Sequence, residues 1–507
     1  MSAAADLSMS PQLAGEVVRV QASCGTLAGR QDRATGIVSF RGIPYAQPPV
    51  GALRWRSPQP VRPWTGERDA ARFGDDCPQK SQTLTRAPAQ SEDCLYLNVW
   101  APPGARAGAG LPVMVWLHGG SFVGGSGADL RVDGSALASL GVVVVTLNYR
   151  VGLFGFLAHP GLVAESAEGS AGNYGLLDQV AALQWVRDNI AAFGGDAGRV
   201  TLFGCSAGSA SASLLLTSPL ARGLFQRAIL QSPGAARPLA SLEDAQRAGA
   251  TLGDLSTLRA TSAEMLLPHT GKLNPQVRGL TTPRVLRPIR DGWLLPEDER
   301  PVFKAGRLHP MPLLVGSNLD EGSLLTASWP IDDLAAYEAL LRDNFGDACD
   351  AARQLYPART DAEVRPQVAQ LFADTQFNYG TRLLAQAMSA AGQPTWRYVY
   401  TRRRPGQTDG PHHGEEVAHV FGNLAAARSG SPAAYDDTDV ALSRQMMAAW
   451  TAFAATGNPH ADGGLAWPAY AAGDDLHLEL GDTPRTGHAW RAEPLNFLDR
   501  FYDRRTS

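Results

Sequence analysis

Lysine is almost missing from this 507-residue chain. Lys80, Lys272 and Lys304 are the only three, so 42 of the 45 basic residues are arginine. That skew reads as the coding bias of a GC-rich bacterial genome before it reads as function. Cysteine is scarce too. Cys24, Cys77, Cys94, Cys205 and Cys349 contain no CxxC pair, which excludes a disulfide framework and leaves no zinc or redox motif. No metal and no cofactor are expected. Asn-x-Ser/Thr sequons are absent. The longest strongly apolar runs, such as Gly141–Leu147, are strand-sized, well short of the roughly 18 residues a membrane helix needs. Residues 1–23 show no basic stretch followed by a long apolar one, the pattern of a signal peptide. The net charge of -4 carries no basic excess, which argues against a nucleic-acid partner. These absences predict a cytoplasmic protein that is a monomer or weak oligomer.

Enough apolar material is present for a large core, with 44% hydrophobic and 19% charged residues, and disorder is excluded. Length alone allows about three domains. Leu95–Trp100 alternates and is β-rich, and later strand candidates are Pro312–Gly316 and Arg397–Tyr400; short continuous apolar runs occur at Val113–Leu117, Val142–Leu147, Val200–Phe203 and Ala228–Leu230. Runs of this kind suit parallel strands buried on both faces. Leu176, Val180, Leu183, Val186 and Ile190 recur at helical spacing, predicting a helix from Gly175 to Phe193 that stops at Gly194-Gly195. The Gly/Pro-rich first 70 residues read as short strands and turns, and residues 325–390 as a helical cap. The alternation predicts an α/β fold with a large, mostly parallel sheet flanked by helices.

Gly204-Cys205-Ser206-Ala207-Gly208 follows a strand and precedes a helix of small residues. This is G-x-S-x-G in the context that pushes a serine out at the carboxyl edge of a sheet. His118-Gly119-Gly120-Ser121-Phe122 follows an earlier strand, where esterases of this architecture carry their oxyanion loop. A serine needs a base and a site for the oxyanion. The two motifs therefore predict acyl transfer, with backbone N–H groups of Gly120, Ser121 and Ala207 as donors. Eight histidines follow Ser206, and composition does not choose among them. Chain order Ser…acid…His directs attention to Gly316–Gly322, where Asp320 and Glu321 are neighbours and successive side chains point differently.

The chain resembles the type-B carboxylesterases, a family that includes bacterial para-nitrobenzyl esterases and cholinesterases. The resemblance rests on Phe40–Trp55, Pro63–Ala70, Ser91–Trp100, the HGGSF loop, Leu147–Leu157, Gly172–Asp196 and GCSAG. It implies an α/β-hydrolase fold, one catalytic domain over 1–507, and a triad of Ser206, Glu321 and His413. His413 is chosen by the family pattern His413-Gly414-Glu415-Glu416, with His412 as the near-miss. His419 is expected to be structural or to line the gorge. Ser232 of QSPG is placed beside the triad, and Asp320 is left as a solvated or turn-capping carboxylate.

The resemblance also aligns Cys77 and Cys94 with a family disulfide that encloses a surface loop, a bridge that a reducing cytoplasm would leave open. That loop has no aromatic residue here, and Cys205 stands where cholinesterases carry an acid. Both departures argue against cationic substrates, so uncharged carboxylic esters are expected. The same triad could serve a carbamate or amide hydrolase, or an enzyme for a specialised polyester or toxin ester. Non-catalytic adhesion relatives lose the serine or the histidine, and this chain keeps both.

Overall fold

A computed structural model describes residues 15–80, 84–428, 434–461 and 463–506. Part of the leader reading (residues 1–14) and residues 81–83 of the Cys77–Cys94 loop lie outside the described residues. Among the described residues thirteen strands form one sheet: β1 (Glu16–Ala22), β2 (Gly25–Gln31), β3 (Val38–Pro44), β4 (Glu67–Asp69), β5 (Tyr96–Ala101), β6 (Leu111–Leu117), β7 (Val143–Leu147), β8 (Gly195–Cys205), β9 (Arg227–Gln231), β10 (Leu313–Asn318), β11 (Thr395–Tyr400), β12 (His477–Leu480) and β13 (Arg485–Gly487). Their order is β1-β2-β3-β5-β7-β6-β8-β9-β10-β11-β12-β13, with β4 beside β2. Pairing is parallel from β7 through β12 and antiparallel at the β1–β5 edge.

Each apolar run of the sequence is a strand, and the central ones are buried along their whole length. β7 and β10 have no exposed residue. Parallel strands need helices on both faces, and the chain supplies them between strands. Five matter for the site: α1 (Tyr174–Asn189), α2 (Ala207–Leu215), α3 (Asp361–Ala373), α4 (Glu416–Phe421) and α5 (Asp437–Thr456). α1 starts one residue before the expected position and tightens to a 3-10 turn at Ile190–Phe193. Gly194, at φ 89°, ends it in the left-handed region. Its burial exceeds one apolar face, because Asp178 is also enclosed and holds Arg150 of the β7 exit in a two-pronged pair at 2.7 and 2.8 Å.

The 325–390 stretch is helical as read, including α3 and a π-helical turn at Asp374–Asn378. Among the described residues no helix is long and apolar enough to cross a membrane.

Candidate active site

Adjacent strands β6, β8, β9, β10 and β11 end at one edge, and each hands a functional segment to the same place. β6 leads into Gly119–Phe122, β8 into Ser206, β9 into Ser232, and β10 into Glu321. His413 lies on the loop after β11. Sequence separation of about three hundred residues is erased by neighbouring strand positions.

Ser206 sits at φ 58° and ψ -122°, a strained conformation for a residue with a side chain. The flanking glycines explain how the turn fits. A Cβ on Gly208 would lie 1.9 Å from the carbonyl oxygen of Leu117, and one on Gly204 2.7 Å from the same atom. Both glycines let α2 cross close over the end of β6. α2 begins at Ala207, so the unpaired N–H groups of its first turn face the serine.

The oxyanion loop presses against this elbow: a Cβ on Gly119 would stand 3.1 Å from the Ser206 Cβ. Gly120, Ser121 and Phe122 all have positive φ, at 118°, 56° and 65°. Among the described residues the N–H groups of Gly120, Ser121 and Ala207 have no hydrogen-bond acceptor. His118 anchors the loop without chemistry. Its ring stacks on Tyr149 at 4.1 Å, Tyr149 Oη donates to the His118 carbonyl oxygen at 2.7 Å, and burial pushes the imidazole down to about 4.

Glu321 is fully buried and faces His413 Nδ1 in a short contact. Register accounts for the pairing: Asp320 and His412 form a parallel bridge, so the next residue on each segment turns to the same side. The other Glu321 oxygen accepts from Ser232 Oγ at 2.5 Å and from the Asn318 N–H at 2.6 Å. Phe377 packs on the His413 ring at 4.5 Å, and His413 Nε2 is buried with no partner among the described residues. Burial favours the neutral imidazole, but the charge and hydrogen bond of Glu321 outweigh it and raise the His413 pKa above its ordinary value. Ser206 and His413 line one cavity of about 190 Å³.

The neighbours go elsewhere. Asp320 accepts from Ser323 N at 3.0 Å and caps the turn that follows. His412 points into an acidic cluster, with Glu415 at 3.0 Å and Asp409 at 3.3 Å. His419 is buried against Tyr400 and Asp439, so it is structural and does not line the gorge. Cys77 and Cys94 are buried side by side, both as free thiols. Cys77 Sγ also accepts the Val151 N–H at 3.4 Å.

Sequence reading missed a buried layer behind the triad. Glu416 is fully enclosed and accepts from Gln231 Nε2 at 2.9 Å and Asn318 Nδ2 at 2.7 Å. Ser206 N in turn donates to the Gln231 carbonyl oxygen at 3.0 Å. All three residues stand inside quoted motifs, but nothing in their spacing shows that they meet. Four arginines were missed as well. Arg237, Arg278, Arg284 and Arg287 line a second cavity that also includes Ser206, Ser121 and Ala207. The near-neutral total charge conceals this local excess.

A sequence model of the "Carboxylesterase family" matches residues 16–498. A fumonisin B1 esterase of Sphingopyxis macrogoltabida is 46% identical over 446 residues, covering 86% of this chain and 82% of that protein. A para-nitrobenzyl esterase of Bacillus subtilis (strain 168) is 39% identical over 451 residues, covering 86% and 89%. The solved structure of a thermophilic PNB esterase superimposes with a TM-score of 0.84 at 34% identity, covering 95% of this chain and 99% of that one. With the family model spanning nearly the whole chain and the sheet superimposing on its solved members, this protein belongs to the carboxylesterase family and has the α/β-hydrolase fold.

Proposed function

We propose that this carboxylic ester hydrolase works through Ser206, His413 and Glu321 with an acyl-enzyme intermediate. The observation that carries the assignment is the Glu321–His413–Ser206 convergence at one sheet edge, beside three unpaired backbone donors. In this mechanism His413 Nε2 takes the Ser206 proton as Oγ attacks the ester carbonyl. Glu321 holds the imidazole by Nδ1 and offsets its charge once protonated. The N–H groups of Gly120, Ser121 and Ala207 receive the oxyanion, and losing one such donor typically lowers kcat about 10²–10³-fold. His413 then returns the proton to the leaving alcohol, and water activated by His413 releases the acid. Ser232 and Asn318 keep the Glu321 carboxylate oriented.

Residues 325–390 serve as the cap, a reading supported by Leu325, Phe372, Gln376 and Phe377 from that stretch reaching the cavities. The protein acts in the cytoplasm as a monomer or weak oligomer, on small-molecule esters. Light scattering and cell fractionation test those two points. The relatives named for fumonisin B1 and para-nitrobenzyl esters support an ester, not an amide or carbamate, as the scissile group. Ser206→Ala tests the mechanism: hydrolysis of nitrophenyl butyrate should fall at least 10³-fold with the far-UV circular dichroism unchanged. Retained hydrolysis in that variant sinks the assignment.

A further inference from the structure

The two cavities that meet at Ser206 differ in charge. One contains His413, the group that must protonate the leaving alcohol. The other contains Ala207 but not His413, and its wall carries Arg237, Arg278, Arg284 and Arg287. Since alcohol and acyl groups leave the carbonyl carbon in different directions, the arginine cavity faces the acyl side.

Four guanidinium groups around one cavity repel one another unless something negative lies between them. Among the described residues none has a carboxylate within 4.0 Å. Arg237 and Arg284 both donate to a neutral acceptor, Gln376 Oε1, the latter at 2.6 Å. Arg237 and Arg284 otherwise reach only the carbonyl oxygens of Gly234 and Gly279. Arg278 donates to Ser121 Oγ at 3.3 Å, and Arg287 lies 5.1 Å above the Phe122 ring. Glu299 offsets Arg237 and Arg287 alone, and its oxygens are engaged by Ser213 Oγ at 2.5 Å and the Ala236 N–H at 2.8 Å. Burial first, and then the neighbouring guanidinium charges, press the Arg284 and Arg287 pKa values well below the ordinary arginine range. The cluster is therefore costly as it stands, and guanidinium forks match carboxylates geometrically.

We propose that this wall binds carboxylate on the acyl group, so that the substrates are monoesters of di- or tricarboxylic acids. The proposal rests on the esterase reading above and replaces the uncharged esters expected from the sequence with anionic ones. The chemistry is unchanged. Ser206 Oγ bonds to the acyl carbon, the bond to the alkoxy oxygen breaks, and that oxygen leaves with the proton held by His413. Water then cleaves the acyl-enzyme, and a free polycarboxylic acid and Ser206 are restored.

A pH-stat comparison of full-length protein on three esters tests it: monobutyl glutarate, neutral butyl pentanoate, and pentanoyl glycolate with its carboxylate on the alcohol side. Wild type should favour monobutyl glutarate over butyl pentanoate at least tenfold in kcat/KM, and pentanoyl glycolate should show no such gain. Arg284→Gln/Arg287→Gln should lower the glutarate-to-pentanoate ratio at least tenfold, mainly through KM. Raising NaCl from 50 to 500 mM should lower the same ratio for wild type, a reading that needs no variant. A preference for butyl pentanoate, an unchanged ratio in the variant, or an equal gain with pentanoyl glycolate overturns the inference. Cleavage of none of the three would instead overturn the esterase reading beneath it.

Discussion

Adjacent residues with like side chains separate sharply at this site. His412 and His413 differ by one position, yet one meets surface carboxylates and the other a buried glutamate. Loss of His413 should therefore abolish turnover, whereas His412→Ala should keep most of it. Steady-state rates on nitrophenyl butyrate decide between them, and the reverse result would move the base by one residue. The pH profile follows from the same contact. Glu321 raises the His413 pKa, and only the neutral ring can accept the serine proton. Activity should rise with pH through an inflection above 6.5, the value for an unperturbed histidine. Glu321→Gln removes the charge and should shift that inflection downward while cutting the rate. The sequence alone carries no sign of this shift, because it shows neither the burial of His413 nor the reach of Glu321.

Single atoms of clearance decide whether the elements can approach as they do. α2 and β6 meet across Gly208, where any Cβ would enter the Leu117 carbonyl. Gly208→Ala should push the helix off the strand end and tilt both Ser206 and the Ala207 donor. A loss of at least tenfold in kcat is expected, since misplacement by about 1 Å can cost 10² in rate. A fully active Gly208→Ala enzyme would show that the elbow tolerates looser packing. Among the elements, the strands were the most legible. Continuous apolar runs bounded by glycine or polar residues admit few alternatives to buried parallel strands. Boundaries moved by one to five residues, as in β8, which begins at Gly195 where the sequence reading started at Val200. The α5 helix and the two small strands β12 and β13 have no counterpart in the sequence reading.

For the whole molecule, stability depends on how buried charge is compensated. Arg150 and Asp178 are enclosed together, join the β7 exit to α1, and line neither cavity at Ser206. Removing one partner leaves an uncompensated buried charge, which costs about 3–5 kcal/mol. Asp178→Ala should lower the urea midpoint accordingly. Arg150→Met/Asp178→Leu should lose less, because neither charge then remains inside. Equal losses in the two variants would show that shape, not charge, dominates there.

The sequence by itself determined the strand run, the nucleophile elbow, the glycine loop and the order serine, acid, histidine. Each is a local pattern whose physics acts over a few residues, and the family resemblance selected Glu321 and His413 from their neighbours. Only the tertiary structure decided what meets across hundreds of residues. It placed Glu416 between Gln231 and Asn318, and gathered Arg237, Arg278, Arg284 and Arg287 around one cavity. A net charge of -4 sums over the chain, but electrostatic energy depends on distance, and distance belongs to the fold.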